Sequence, residues 1–261
     1  MAPIRITPKK SYTDQLLPDG KENKPQDTAV HRAFDRGYAD HGWLKARHSF
    51  SFASWYDPNR IQFGALRVLN DDQIDPSQGF GTHPHDNMEI ITIPLKGGVR
   101  HQDSMGNSGV VEEGEIQVMS AGQGILHSEF NAHNDQSLEL FQIWIFPNRR
   151  NVEPRYAQRA INLSTRNEFV ELVGPKTDAY ATWIYQDAFI SMGAFDGETA
   201  VSYPRKRDAH GIYLMVVKGQ ISIRGEQLNK RDAIAISDRE DVEILAMEDS
   251  KILVLEVPMD I

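Results

Sequence analysis

The chain has 261 residues, 40% of them hydrophobic and 25% charged, with a mean hydropathy of -0.48, the make-up of a globular protein able to bury a sizeable core as two modest domains or one large β domain. There is no cysteine, which removes disulfide frameworks, thiolate metal sites and cysteine nucleophiles, so any metal must be held by His, Asp or Glu. A net charge of -9 with a pI near 5.5 argues against direct nucleic-acid binding, which needs a basic footprint.

Residues 1–30 are polar and carry Pro3, Pro8, Pro18 and Pro25, which predicts an extended N-terminal arm. Met1–Tyr12 contains Arg5, Lys9 and Lys10 with no apolar stretch after them, so a secretory leader is not expected and the expected location is the cytoplasm. Apolar runs such as Leu138–Phe146 and Ile212–Val217 fall well short of the roughly 20 residues a membrane helix needs, and no membrane partner is expected.

From His31 the chain changes to short apolar segments separated by Gly, Asn, Asp and Pro, with little 3.6-residue periodicity, the pattern of an all-β protein. Strands are predicted over Phe63–Leu69, Met88–Leu95, Glu115–Met119, Leu138–Phe146, Ile212–Val217, Gln220–Ile223, Ala233–Ile236, Val242–Ala246 and Ile252–Val257. Leu138–Phe146 is apolar on both parities, as expected of a strand covered on both faces in a sandwich or barrel.

The strands repeat. Leu95-Lys96-Gly97-Gly98 resembles Val217-Lys218-Gly219-Gln220, Gly114–Val118 resembles Arg231–Ala235, and each half ends in a long apolar strand before Pro147 or Pro258. Two copies of one β unit are predicted, over residues 31–150 and 151–261, joined through a connector around Arg149–Asn167.

Five of the nine histidines lie between positions 83 and 133. In His83-Pro84-His85 two imidazoles at i and i+2 project to one face of an extended chain, and His127-Ser128-Glu129 repeats the arrangement with a carboxylate. If the two segments neighbour each other, His83, His85, His127 and Glu129 converge. Such a set suits a borderline divalent ion, Fe(II), Mn(II), Co(II), Ni(II), Cu(II) or Zn(II), and is too rich in nitrogen for Ca or Mg. By parity Glu89 also shares a face with His83 and His85 if that strand is regular, and competes with Glu129 as the carboxylate. His101 is placed at a pocket mouth or on the surface, and Gln117 is placed on the strand leading to the second motif, facing the cavity or bonded to backbone. Trp43, Phe50, Phe52, Trp55 and Tyr56 are read as packing residues.

Gly81–Glu89 and Gly114–Asn131 are similar to the two cupin motifs. More narrowly, Ala39–Phe52, with its Asp40-His41-Gly42-Trp43-Leu44, and Met119–Asn131, with Ser120-Ala121-Gly122-Gln123-Gly124-Ile125-Leu126-His127-Ser128-Glu129, resemble the pirin family. That resemblance implies a bicupin of two jelly-roll units in which the first holds one metal, usually iron as Fe(II), through His83, His85, His127 and Glu129, and it selects Glu129 over Glu89. It also implies a dioxygenase that opens the flavonol quercetin or a related aromatic substrate with dioxygen; in such a reaction Glu129, a carboxylate within reach of a metal-bound hydroxyl, is the candidate proton acceptor. The alternative is a metal- and redox-dependent regulator that binds another protein, as eukaryotic members of the family do with transcription factors. In the second copy, laying Gly219 on Gly97 and Asp232 on Glu115 puts Arg205, Arg207, Ile244 and Ala246 in place of the four ligands, which predicts a metal-free C-terminal unit; Arg205-Lys206-Arg207 is read as a solvated turn.

Overall fold

The computed structural model describes residues 28–176 and 182–260; residues 1–27 of the expected arm lie outside them. Among the described residues the chain is built of β-strands and one 3-10 turn, Ala33–Asp35, and no helix is long and apolar enough to cross a membrane.

Four sheets stack in layers. A seven-stranded sheet runs in the order Arg155–Ala160, Glu115–Ser120, Glu89–Lys96, Leu138–Ile145, Leu66–Ile74, Leu44–His48, Gly37–Asp40. A four-stranded sheet of Gly79–His85, Ile125–Asn131, Gly98–Asp103 and Ser108–Glu112 belongs to the same half. The second half repeats the plan, with a seven-stranded sheet ordered Thr28–His31, Ala233–Ile236, His210–Lys218, Ser250–Pro258, Phe189–Phe195, Phe169–Pro175, Trp183–Ile184, and a four-stranded sheet of Thr199–Tyr203, Val242–Ala246, Gln220–Ile223 and Glu226–Asn229. Each half is a jelly-roll-like pair of sheets that do not close into one continuous barrel.

The two large sheets pack against each other through Leu69, Ile91, Ile93, Phe141 and Ile143 from the first and Leu172, Ile190, Tyr213, Met215, Leu253 and Leu255 from the second. Their other faces cover the interiors of the two halves. This is why Leu138–Ile145 is apolar on both parities: Phe141, Ile143 and Ile145 enter the shared core, while Leu138 and Leu140 turn into the first sandwich.

The repeat is visible in the backbone. Gly97 and Gly219 sit at the same hairpin, at φ +74° and +84°, conformations that favour residues without a Cβ. Two features differ from the sequence expectation. The stretch expected to be a connector contains Arg155–Ala160, which pairs with Glu115–Ser120 along the edge of the first large sheet. Conversely, Thr28–His31, at the start of the described chain, pairs with Ala233–Ile236 of the second. The halves therefore each carry an edge strand drawn from beyond their own repeat.

Candidate metal centre

The strands Gly79–His85 and Ile125–Asn131 are antiparallel neighbours, with His83 opposite His127 and His85 opposite Ile125. The register slips by one residue before Glu129 meets Phe80, a bulge that re-aims side chains locally. The three imidazoles converge: ring centroids are 4.5 Å apart for His83 and His127, 4.9 Å for His83 and His85, and 5.0 Å for His85 and His127, and one ring nitrogen of each lies within 4.8 Å of the others.

Glu129 gathers with His127 and His101, one ligand atom of each lying within 4.8 Å of the others. Gln117 Nε2 donates to its Oε1 at 3.0 Å and Gln142 Nε2 to its Oε2 at 2.8 Å, with the Thr92 hydroxyl 3.1 Å from Oε1. Hydrogen bonds from three side chains fix the plane of the carboxylate. Gln117 thus directs its amide to Glu129 rather than to backbone, while Thr92 and Gln142 carried no signal in the sequence: each is flanked by apolar residues in its strand, and only the sheet register brings them together.

The donor set suits a borderline divalent cation. Burial, reinforced by His127 and His83, pushes His85 down to about 4, and burial with His83 and His101 pushes His127 down to about 3, so both are neutral near pH 7 and offer lone pairs. Both ring nitrogens of His127 are buried without a hydrogen-bond partner, an arrangement that costs free energy unless an ion or other ligand satisfies it. His83 Nδ1 bonds the Gly81 carbonyl at 2.8 Å, which leaves Nε2 as its free donor.

Glu89 stands apart. Residues 86–88 break the strand after His85, and Glu89 restarts it in the large sheet on the face it shares with Ile91 and Ile93 of the shared core. Its carboxylate accepts from Ser120 Oγ at 2.6 Å, and burial pushes it up to about 7. The parity argument that set Glu89 beside His83 and His85 fails because the chain changes sheets between them. His101, expected at a pocket mouth or on the surface, is fully buried, stacked on Tyr156 at 4.7 Å.

An aromatic wall borders the cluster. Trp144 meets His85 edge-on at 5.0 Å and Phe52 at 5.4 Å, and Phe80 lies between Trp43 and His83. Phe50 belongs to the shared core, whereas Tyr56 is exposed rather than packed.

The second half offers a different set. With Gly219 laid on Gly97, Ile223 falls on His101 and so Ile244, its ladder partner, falls on Glu129. Val242 then takes the place of His127, and Tyr203, opposite Val242, that of His83. The sequence alignment, which put Ile244 and Ala246 at His127 and Glu129 and Arg205 at His83, is off by two residues because the link before Val242 is two residues shorter and that after Tyr203 two longer. Arg205, now at the His85 position, donates to the carbonyls of His210, Asp238 and Glu240, and Lys206 pairs with Glu171, so these two are tied down internally, while Arg207 is exposed as a solvated turn predicts.

Two jelly-roll units in tandem, with imidazoles and a carboxylate gathered inside the first, define a bicupin. The sequence pattern of the Pirin family matches residues 28–145 and that of the quercetinase C-terminal cupin domain matches residues 172–257. The chain is 42% identical over 231 residues to the quercetin 2,3-dioxygenase of Escherichia coli K12, covering 88% of this chain and 98% of that one. It is also 42% identical over 228 residues to a pirin-like protein of Caulobacter vibrioides, covering 86% and 97%. The crystal structure of the bacterial pirin YhhW from Escherichia coli in complex with nickel(II) superposes with a TM-score of 0.83 at 40% identity, over 88% of this chain and 99% of that one. This chain belongs to the pirin family.

Proposed function

We propose that the protein is a metal-dependent dioxygenase that cleaves quercetin or a related flavonol with dioxygen, its ion held by His83, His85, His127 and Glu129 in the N-terminal unit, residues 31–150, while the C-terminal unit, residues 151–261, binds none. The observation that carries this reading is the convergence of three imidazoles, one with both nitrogens unpartnered, beside a carboxylate fixed by hydrogen bonds. The name of the Escherichia coli relative, quercetin 2,3-dioxygenase, supports the reaction class, and the nickel(II) complex of YhhW supports a divalent ion; Fe(II) is the expected native one.

A bound divalent ion would supply Lewis acidity toward an enolic hydroxyl. The chain supplies the rest. Trp144 and Phe52, edge-to-face with one another, give an aromatic ring an apolar border beside His85, which orients it by stacking or edge contact. Glu129 Oε2, with the one donor Gln142, keeps capacity to take a proton from a substrate hydroxyl, while Oε1 is occupied by Gln117 and Thr92. Leu44, Ala46, Ile74, Val99, Leu138 and Leu140 close the floor below this polar layer and exclude water from it.

The test is oxygen uptake with quercetin by chelated protein reloaded in turn with Fe(II), Mn(II), Co(II), Ni(II), Cu(II) and Zn(II). Uptake that depends on the metal and disappears in His83→Ala is the expected result. Stoichiometric metal binding with no uptake under any ion overturns the dioxygenase reading and favours a regulator that binds a protein partner.

A further inference from the structure

Beside His83, His85, His127 and Glu129 stands one more buried imidazole, that of His101, bordering the same space. His101 is fully buried and faces Glu129 directly across the ladder between Gly98–Asp103 and Ile125–Asn131. Its ring lies 5.5 Å from that of His127, and one of its nitrogens lies within 4.8 Å of donor atoms on both His127 and Glu129.

The orientation and tautomer of His101 are set by its neighbour. Nε2 lies 3.1 Å from Asp103 Oδ2, and Asp103 is itself fixed by the backbone N–H groups of Met105 and Asn107 at 2.9 and 3.0 Å and by the Asn107 amide. A carboxylate held by this many donors is an acceptor, so His101 Nε2 donates to it, and in the neutral ring the lone pair falls on Nδ1. That Nδ1 is buried and has no hydrogen-bond partner. A histidine whose second nitrogen is oriented by a carboxylate is the usual second partner arrangement of a metal-ligating imidazole, and His83 shows the equivalent device with the Gly81 carbonyl.

We infer that His101 is itself a metal-binding residue, and that His101, His127 and Glu129 form an inner seat for the ion beneath the outer one of His83, His85 and His127. The inference rests on the proposed metal binding and extends it. His83 and His85 are half-buried, whereas His101, His127 and Glu129 are 0, 1 and 3% exposed. The outer seat is thus the one an ion meets first and the inner one is the drier, with His127, unpartnered at both nitrogens, common to both.

Co(II) is the probe, followed by equilibrium dialysis and by its visible ligand-field bands, on the full chain with folding checked by circular dichroism. The His83→Ala/His85→Ala double variant is expected to retain one Co(II) per chain at reduced affinity, and to lose it when His101→Gln is added. Asp103→Asn, which can donate to Nε2 and so move the hydrogen onto Nδ1, keeps the side-chain shape and is expected to weaken Co(II) binding by the double variant about 10- to 100-fold. His101→Gln alone is expected to change the ligand-field spectrum of the otherwise native protein. A double variant that binds no Co(II) while the native chain does, or one whose affinity is indifferent to His101→Gln and Asp103→Asn, overturns the inner seat and leaves the outer site standing. A folded native chain that binds no Co(II) overturns both.

Discussion

The two halves share one plan and differ in the interior layer where Glu129 stands in the first. In the first, Glu129 is met by Thr92, Gln117 and Gln142 from three adjacent strands of the large sheet. In the second, the same ladder positions hold Ile244, Leu214, Ile234 and Val254, where Leu214 pairs with both Ile234 and Val254 as Thr92 pairs with both Gln117 and Gln142. These four belong to a continuous apolar core with Phe195, Tyr203 and Ile212. The fold therefore does not need the polar layer. A buried carboxylate with three polar neighbours replaces apolar packing that the same scaffold accepts, and such layers are retained in proteins for chemistry more often than for stability.

The comparison can be broken from the apolar side. Ile244→Glu places a carboxylate where Glu129 stands in the other half, with Leu214, Ile234 and Val254 around it instead of donors. Burying an unpaired charge costs about 3–5 kcal/mol, so urea denaturation is expected to show a stability loss of that size or no folded protein at all. A variant as stable as the native chain would mean that the second interior is not dry.

A smaller effect sharpens the contrast between the two carboxylates of the first half. Glu89 titrates near 7 in the folded protein, raised by burial from its ordinary 4.5. The folded state therefore holds its proton more tightly than the unfolded one, so this group favours folding most below about 4.5 and progressively less as pH rises to about 7, above which the effect is constant. Glu89→Gln is expected to be more stable relative to the native protein at pH 8 than at pH 4.5, with Co(II) binding unchanged. A difference of the opposite sign, or loss of the ion, would tie Glu89 to the metal centre after all.

The sequence carried the repeated plan and much of the histidine cluster, for reasons visible in single elements. Gln220–Ile223, Ala233–Ile236 and Val242–Ala246 fall where the apolar pattern put them, since each is short, buried and bounded by turn residues. Phe63–Leu69 did not: the strand runs Leu66–Ile74, and its second half, Asn70-Asp71-Asp72-Gln73, reads as a turn. Those polar residues are held by tertiary partners, Asn70 by His48 at 2.9 Å and Asp71 by Arg36 at 3.1 Å and Arg231 at 3.0 Å, which no local pattern reveals. Likewise His83-Pro84-His85 and His127-Ser128-Glu129 announce themselves by spacing, whereas His101, Thr92 and Gln142 join the site only through register.

The most direct measurement is to locate the ion itself, by anomalous X-ray scattering from crystals of the Co(II)-loaded chain. One peak per chain within the first half, among His83, His85, His101, His127 and Glu129, is the predicted result. A peak inside the second half, or an ion coordinated by Glu89 instead, would contradict the division of the molecule into a metal-binding unit and an apolar partner.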